Sequence, residues 1–178
     1  MRGTPAVAVL RLGHRPGRDE RTTAHVGLTA RALGADHVVL AGEAASRRDT
    51  IEDITDRFGG PFRVETTDEP MAVLEAWEGT VVHLTMYGLP VQEATADVRT
   101  AFEDGTELLV VVGAGKVPFE VYERADWNLA VTNQPHSEIA ALAVFLDRLF
   151  EGRELDRDWE DAERAVVPRE TGKQVEES

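Results

Sequence analysis

Four arginines and two histidines are gathered in the stretch RLGHRPGRDERTTAH, residues 11–25. Arg15, Arg18 and Arg21 recur every three residues, so they share one side if the stretch enters a helical turn. A guanidinium stays charged and binds phosphate oxygens through paired hydrogen bonds. The stretch therefore indicates a site for a phosphate or a developing anion. The alternative is a solvated basic patch that neutralises neighbouring acids.

A second candidate is LLVVVGAGKVP, residues 108–118, which predicts a buried strand that ends in glycines. Glycines at the carboxyl end of a parallel strand let backbone groups approach a ligand closely. The spacing is not a dinucleotide fingerprint, because Pro118 stands where the third glycine would be. It is not a phosphate loop either, because Val117 follows Lys116. The alternative is a tight turn before a helix that begins at Pro118.

A third candidate is VTNQPHSEIAAL, which leads into the most clearly amphipathic helix of the chain. Asn133 and Gln134 stand beside a proline at the predicted carboxyl edge of the sheet, where amides suit recognition of an adenine or a carboxylate. Ser137 or His136 could instead cap the helix, with Glu138 favourable in its first turn. This alternative explains the serine and the glutamate but not the two amides.

The stretch HLTMYGLP, residues 83–90, predicts another strand end of the same kind. We interpret His83 as a hydrogen-bonded histidine of the core or the sheet edge, because no spacing of His, Asp and Glu is typical of a metal site. We therefore predict no metal. The sequence also lacks a G-x-S-x-G motif, which argues against covalent hydrolase chemistry.

The elements that must position these stretches are apolar, β-branched runs alternating with helical patterns. This alternation predicts an α/β fold, a parallel sheet with helices on both faces. Ser46 is the expected N-cap of the second helix. The predicted strands are 7–12, 37–41, 62–65, 80–85, 107–112 and 128–131, and the predicted helices are 23–33, 46–58, 71–77, 91–102 and 136–150.

The composition is strongly acidic. The 178 residues carry a formal net charge of −14, and all but two of the 19 basic residues, Lys116 and Lys173, are Arg. This pattern is typical of salt-in halophiles, and the alternative is codon bias in a GC-rich genome. The absence of cysteine excludes disulfides and favours a cytoplasmic location. No run reaches the roughly 20 apolar residues of a membrane span, and we expect no signal peptide.

From Glu151 onward the chain becomes more acidic still, which predicts an extension beyond the main domain. Residues 165–167 and a turn near 169–172 indicate a short hairpin within this extension. The last few residues are expected to fray.

Four stretches together resemble one family closely: LRLGHRPGRDERTTAHVGLTARALGAD, LTMYG, VVVGAGKVP and TNQPHSEIAALAVFLDRL. They look like the signatures of the archaeal tRNA cytidine-56 2′-O-ribose methyltransferases, which belong to the SPOUT class. The resemblance covers about residues 7–150 and, with the acidic composition, points to a haloarchaeon. The sequence departs from the family pattern at Gly115, where a Glu is usual, and at Ala24, where a Thr is usual.

The resemblance implies a Rossmann-like fold whose C-terminal segment threads a deep trefoil knot. It implies a SPOUT domain over residues 1–152, with the knot and cofactor loops at about 80–150, and an acidic extension over 153–178. S-adenosylmethionine is the implied cofactor, the tRNA T-loop the substrate, and a homodimer the working form. The implied cofactor contacts are Leu84, Gly113, Ala114, Gly115, Lys116, Val117, Val131, Thr132, Asn133, Gln134, Pro135, His136, Ser137 and Glu138.

The expected reaction moves a methyl group to a ribose 2′-oxygen, whose developing negative charge needs stabilisation. We expect Arg21 and Arg18 to act as electrostatic stabiliser and phosphate clamp, with Arg15 and His25 in support. We do not expect an Arg to act as a base, because its pKa lies above about 12.

Two alternatives stay open at the level of the sequence. One is a different nucleotide- or cofactor-dependent enzyme on a doubly wound sheet, which the incomplete glycine motif disfavours. The other is a non-catalytic tRNA-binding module of the same fold, which the intact NQPHSE stretch disfavours. Saturable binding of S-adenosylmethionine would separate the methyltransferase from the first alternative, and labelled product would separate it from the second.

Overall fold

The computed structural model describes residues 6–178 of the chain, and within this range one sheet contains six strands, all parallel to their neighbours. The strands are β1 (Val7–Leu12), β2 (His37–Ala41), β3 (Arg63–Thr67), β4 (Thr80–Pro90), β5 (Leu108–Gly113) and β6 (Trp127–Ala130). The helices are α1 (Glu20–Ala32), α2 (Arg48–Phe58), α3 (Pro70–Ala76), α4 (Val91–Glu103), α5 (Phe119–Arg124) and α6 (Glu138–Phe150).

The sheet order is β3-β2-β1-β5-β4-β6, so β5 lies between the first and fourth strands of the chain. Alternate residues of β1 point to opposite faces: Val7 and Val9 pack with α1, α2, α4 and α6, whereas Ala8 and Leu10 pack with α3 and α5. Burial on both faces explains why β1 and β5 are continuous apolar runs rather than alternating ones. The predicted α/β fold with helices on both faces is confirmed.

Three local predictions need correction. The fourth strand does not end at residue 85: after a register shift between Leu84 and Leu89, β4 pairs with β6 again up to Pro90. Ser46 is not an N-cap, because a 3₁₀ segment (Gly42–Arg47) precedes α2 and continues directly into it. The glycine-rich stretch after β5 leads into the short helix α5, with Pro118 at its N-cap position.

The C-terminal extension forms an antiparallel hairpin of β7 (Arg164–Val167) and β8 (Gln174–Glu177). The expected fraying is wrong, because β8 pairs up to Glu177 and the Ser178 amide donates to the Glu163 carbonyl at 3.0 Å. The residues before the hairpin are anchored to the domain: Arg31 lies 4.3 Å from the centre of the Trp159 ring. Of the helices in residues 6–178, none combines the length and apolar character required to span a bilayer.

Candidate active site

Four neighbouring strands, β1, β5, β4 and β6, bring their carboxyl ends to one edge of the sheet. The segments that follow them therefore meet, although they are far apart in the sequence. We call residues 13–25 the basic segment. We call residues 113–118 and 131–138, together with residues 84–90 at the irregular end of β4, the cofactor loops. The basic segment lies beside the second of these loops, where the Ala114 amide donates to the Leu12 carbonyl at 2.9 Å.

Glycines allow the cofactor loops to pack this tightly. A Cβ atom at Gly88 would lie 2.5 Å from the Asn128 backbone, and a Cβ at Gly113 would collide with the Val117 side chain. Gly115 differs, because no described residue has an atom within 4 Å of the place where its Cβ atom would stand, and its φ is not positive. The departure from the family pattern at Gly115 is therefore sterically neutral, and the space that a Glu would enter is open.

A cavity of about 280 Å³, which we call the cofactor cavity, lies among the cofactor loops. Its lining includes seven of the residues implied as cofactor contacts: Leu84, Gly113, Ala114, Gly115, Val117, His136 and Glu138. The other lining residues were not predicted as contacts: His83, Thr85, Met86, Tyr87, Tyr122 and Ala141. The only sequence signal for these residues was their proximity to the strand ends. Tyr122 lacked even this signal, because it enters the cavity from α5, which was not delimited from the sequence.

A second cavity, of about 400 Å³, lies on the other side of the same loop. It shares Ala114, Gly115 and Val117 with the cofactor cavity, and its lining also includes Lys116 and Arg15. The loop at 114–117 is thus a wall between a space bounded by the cofactor loops and a space bounded by the basic segment.

The remaining implied contacts have structural roles in the loop at 131–138. Val131 packs against the core, and the Thr132 hydroxyl accepts from the backbone N–H of Gln134 at 3.3 Å. Ser137 caps α6, as the alternative interpretation proposed for Ser137 or His136, and accepts from the Ala140 amide at 3.2 Å. Pro135 is exposed between these groups. None of these residues lines the cofactor cavity in the described part of the chain.

Asn133 ties two cofactor loops together. Its side-chain Nδ2 donates to the Met86 carbonyl at 2.7 Å and to the Gly88 carbonyl at 3.0 Å. These two bonds hold the loop at 131–138 against the register shift in β4. The Asn133 side chain therefore joins two loops around the cavity, and its predicted contact with the cofactor stays a prediction.

His83 is fully buried in the wall of the cofactor cavity. Its Nδ1 lies 2.9 Å from Asn128 Oδ1, and its Nε2 has no hydrogen-bond partner in the described residues. Burial lowers the pKa of His83, so the ring is neutral at pH 7. The expected satisfied histidine is therefore satisfied at only one of its two nitrogens.

A buried ion pair joins the basic and cofactor sides of the site. Arg11, near the end of the apolar strand β1 and 1% exposed, donates from Nη2 to Glu138 Oε1 at 2.9 Å and from Nη1 to the Gly13 carbonyl at 2.8 Å. Glu138 is thus held by Arg11 at the first turn of α6, and this partner was missed because 127 residues separate the two. An arginine within an apolar strand was the available signal.

Within the basic segment, Arg15 is held by Asp19 through two side-chain hydrogen bonds of 2.9 Å. The Arg15 guanidinium, by donating to the Asp19 carboxylate, lowers the pKa of Asp19 to about 2, and the carboxylate in turn raises the pKa of Arg15. The pair therefore stays charged at neutral and mildly acidic pH. Glu20 lies 2.9 Å from Arg47 and forms a further ion pair at the start of α1.

Arg18, Arg21 and His25 are exposed. Arg21 and His25 stand one turn apart on α1, so they share one side of the helix. Within residues 6–178 none of the three forms a salt bridge, which leaves them available to a ligand. Ala24 is buried, so the departure from the family pattern at this position lies in the core and not among the exposed cations.

The identity of the chain follows from comparison with known proteins. Residues 58–176 match the model of the family described as tRNA ribose 2′-O-methyltransferase, aTrm56. The chain belongs to this family. It is 71% identical to the tRNA (cytidine(56)-2′-O)-methyltransferase of Haloarcula marismortui, over 98% of this chain and 97% of the relative. It is 51% identical to the protein of that name from Thermococcus kodakarensis, over 95% of this chain and 96% of the relative.

Solved structures support the fold. The SpoU methyltransferase AviRb from Streptomyces viridochromogenes, solved with AdoMet, matches with a TM-score of 0.57 at 16% identity, covering 86% of this chain and 59% of AviRb. The A. aeolicus TrmH/SpoU tRNA modifying enzyme matches with a TM-score of 0.57 at 15% identity, covering 86% of this chain and 77% of that one. The predicted family membership and enzyme class are confirmed.

Proposed function

We propose that the chain transfers a methyl group from S-adenosylmethionine to the ribose 2′-oxygen of cytidine 56 in tRNA. The observation that carries this proposal is the shared wall at 114–117, with the cofactor cavity on one side and Arg15 with the basic segment on the other. Methyl transfer requires the donor and the phosphate-bearing acceptor to be held next to each other, and two spaces that share the loop at 114–117 are adjacent.

The residues of the cofactor cavity fit S-adenosylmethionine. The turn at Gly113 leaves no room for a side chain, and the lining offers a carboxylate at Glu138 and, at His83, an acceptor that is unpaired within residues 6–178. We place the cofactor against Leu84, the loop 113–117 and the loop 131–138. When bound, S-adenosylmethionine supplies a methyl group activated by a positive sulfonium.

The basic segment supplies the charge that the acceptor needs. Arg21 and Arg18, which are exposed, stabilise the developing 2′-oxyanion and clamp the neighbouring phosphate. Arg15, fixed by Asp19 at the mouth of the second cavity, orients the RNA backbone, and His25 supports Arg21 from the next turn of α1. The acidic remainder of the surface disfavours binding of RNA elsewhere on the molecule.

The working form in this proposal is a homodimer in the cytoplasm, where tRNA is modified. The domain covers 1–152, the loops at about 80–150 thread a trefoil knot, and 153–178 is the extension. Asn133, which fastens the loop at 131–138 to the loop at 84–90, supports such threading. Within residues 6–178, no three side chains of His, Asp or Glu are grouped as metal ligands would be, and the proposal uses no metal.

The test is methyl transfer from labelled S-adenosylmethionine to an unmodified tRNA at molar salt, followed by mapping of the 2′-O-methyl group. The matched control is the same tRNA with a single 2′-deoxycytidine at position 56, which lacks the acceptor oxygen. We expect label on the first RNA and none on the second. Label at another nucleotide would contradict the assigned position, and binding of tRNA without label would indicate a non-catalytic module.

A further inference from the structure

His83 lies where the cofactor cavity meets the core, on β4 immediately before Leu84 and the register shift. The side chain is 0% exposed, and Tyr122 packs edge-on against its ring with centroids 4.6 Å apart. The ring is therefore held in one orientation by packing as well as by the bond to Asn128. Because the ring is fixed, the position of its other nitrogen, Nε2, is fixed as well.

The hydrogen bonds of Asn128 determine which nitrogen of His83 carries the proton. Asn128 Nδ2 donates to the Tyr122 carbonyl at 2.9 Å. The side-chain amide therefore cannot be flipped, because Asn128 Oδ1 would then face the Tyr122 carbonyl oxygen. Asn128 Oδ1 then faces His83 Nδ1 at 2.9 Å and can only accept. Nδ1 is therefore the protonated nitrogen, and Nε2 of the neutral ring is a bare acceptor.

This acceptor has no partner in the described part of the chain. The polar neighbours in the cavity do not bond to it: the hydroxyls of Tyr122 and Thr85 lie 3.1 Å from each other, and Glu138 is an acceptor held by Arg11. A buried acceptor left without a donor is costly, so such a group needs a donor from an ordered water or a ligand. The geometry thus calls for a donor from whatever fills the cavity.

We propose that His83 Nε2 accepts a hydrogen bond from an N–H or O–H group of the bound S-adenosylmethionine, which makes His83 a cofactor-binding residue of the cofactor cavity. The proposal rests on the proposed function, because it takes the cofactor to occupy this cavity. Three kinds of donor are available in that molecule: the adenine amino group, the ribose hydroxyls and the α-ammonium group. Loss of Nε2 leaves the donor unpaired in a buried place, so affinity falls on the order of 10-fold.

The first experiment measures cofactor affinity by calorimetry for the parent and for His83→Phe, which keeps a ring against Tyr122 but has no acceptor. The matched control is His37→Phe, which removes another buried histidine, on β2, outside the cavity lining. We expect about 10-fold weaker binding of S-adenosylmethionine and S-adenosylhomocysteine to His83→Phe, with parental affinity for His37→Phe.

Analogues that each lack one donor then identify the contacted group. 5′-Methylthioadenosine lacks the α-ammonium group, and 2′-deoxy, 3′-deoxy and N6-dimethyl analogues of S-adenosylhomocysteine lack the other donors. The analogue that lacks the contacted donor should bind the parent and His83→Phe with equal affinity. Every other analogue should bind His83→Phe more weakly than it binds the parent. Equal loss for every analogue would overturn the proposal, and so would parental affinity of a folded His83→Phe.

A measurement on the unaltered chain covers the case in which His83→Phe does not fold. With ¹⁵N-labelled histidine, we expect an unprotonated Nε2 resonance for His83 that moves when S-adenosylhomocysteine is added, while the protonated Nδ1 resonance stays in place. A resonance that does not move on saturation would overturn the proposal. If the parent binds no S-adenosylmethionine at all, the proposed function fails; if the parent binds and methylates while these tests are negative, only the role of His83 fails.

Discussion

The basic segment, residues 13–25, and the cofactor loops, 84–90, 113–118 and 131–138, bound the same site but hold their shape in different ways. The basic segment is framed by ion pairs such as Arg15 with Asp19, and it leaves Arg18 and Arg21 exposed. The cofactor loops are fixed by backbone geometry and neutral hydrogen bonds, such as those of Asn133. Side-chain charge therefore defines one half of the site and backbone packing defines the other.

This difference matters for a chain whose net charge is −14. In molar salt the screening length is about 3 Å, so exposed charges act only on groups they touch. The cations of the basic segment can then contribute by direct contact with RNA and little by steering from a distance. Because the bonds of the cofactor loops are short-range and mostly uncharged, we expect cofactor binding to respond less to salt than tRNA binding does.

The largest effect should follow removal of an exposed cation of the basic segment. We expect Arg21→Ala, and likewise Arg18→Ala, to slow methyl transfer on the order of 10²–10³-fold, as loss of an oxyanion-stabilising group does. Single-turnover transfer measures the rate, and calorimetry should show unchanged affinity for S-adenosylmethionine. The matched control is Arg57→Ala, which removes a partly exposed arginine of α2 and should keep the parental rate. Parental rates in both Arg18→Ala and Arg21→Ala would refute the assignment.

The next largest effect concerns the ion pair that joins the two regions. Arg11→Met leaves the Glu138 carboxylate without its buried partner, so the free energy of unfolding should fall by about 3 kcal/mol. Urea denaturation measures this loss. The double variant Arg11→Met with Glu138→Gln should recover part of it, because no unpaired charge remains. If the double variant is as unstable as the single one, the ion pair is not the cause.

A moderate effect is expected from Asn133→Ala, which touches only the cofactor side. Two hydrogen bonds between cofactor loops are lost, so the affinity for S-adenosylmethionine should fall about 10-fold. Affinity for tRNA, measured without cofactor, should stay near the parental value. Gln92→Ala, at an exposed amide of α4, is the control. If Asn133→Ala weakened tRNA binding and left cofactor affinity unchanged, the assignment of this amide to the cofactor loops' function would be wrong.

The smallest effect is the pH dependence of the Arg15–Asp19 pair. The pKa of Asp19 is lowered from 3.8 to about 2, so its stabilising contribution is complete above pH 3.8 and lost as the pH falls through about 2. The melting temperature of Asp19→Asn should lie below that of the parent by a constant few degrees from neutral pH down to about pH 5. The difference should shrink only at stronger acidity. A difference that vanishes already near pH 5 would show that Asp19 is not held by Arg15.

Local features of the fold were predictable because they depend on neighbours in the sequence. Apolar runs located β1 and β2, and helical periodicity located α6 with its Ser137 cap. Errors arose where a distant element intervened. The pairing of Leu89 with Leu129 extends β4 beyond its apolar run, and the hairpin partner keeps β8 ordered near the C-terminus.

The site was predictable in part for the same reason. The glycines at 113 and 115 and the amides at 133 and 134 mark strand ends, and the motifs they form indicated the family. The sequence did not show which role each residue has: Asn133 binds neighbouring carbonyls, and His83, interpreted as satisfied, lines the cavity and has one nitrogen without a partner in the described residues. His83 and Asn128 are 45 residues apart, and no local pattern links them.

The sequence by itself determined the order of strands and helices, the acidic surface, the cluster of arginines after β1 and the family to which the chain belongs. Only the tertiary structure decided that β5 lies between β1 and β4, which sets the basic segment beside the loop at 114–117. It also decided which charges are paired and which remain exposed, as with Arg11 and Arg21. The physical reason is that periodicity and turn chemistry act over a few residues, whereas strand order and buried ion pairs depend on packing between segments more than a hundred residues apart.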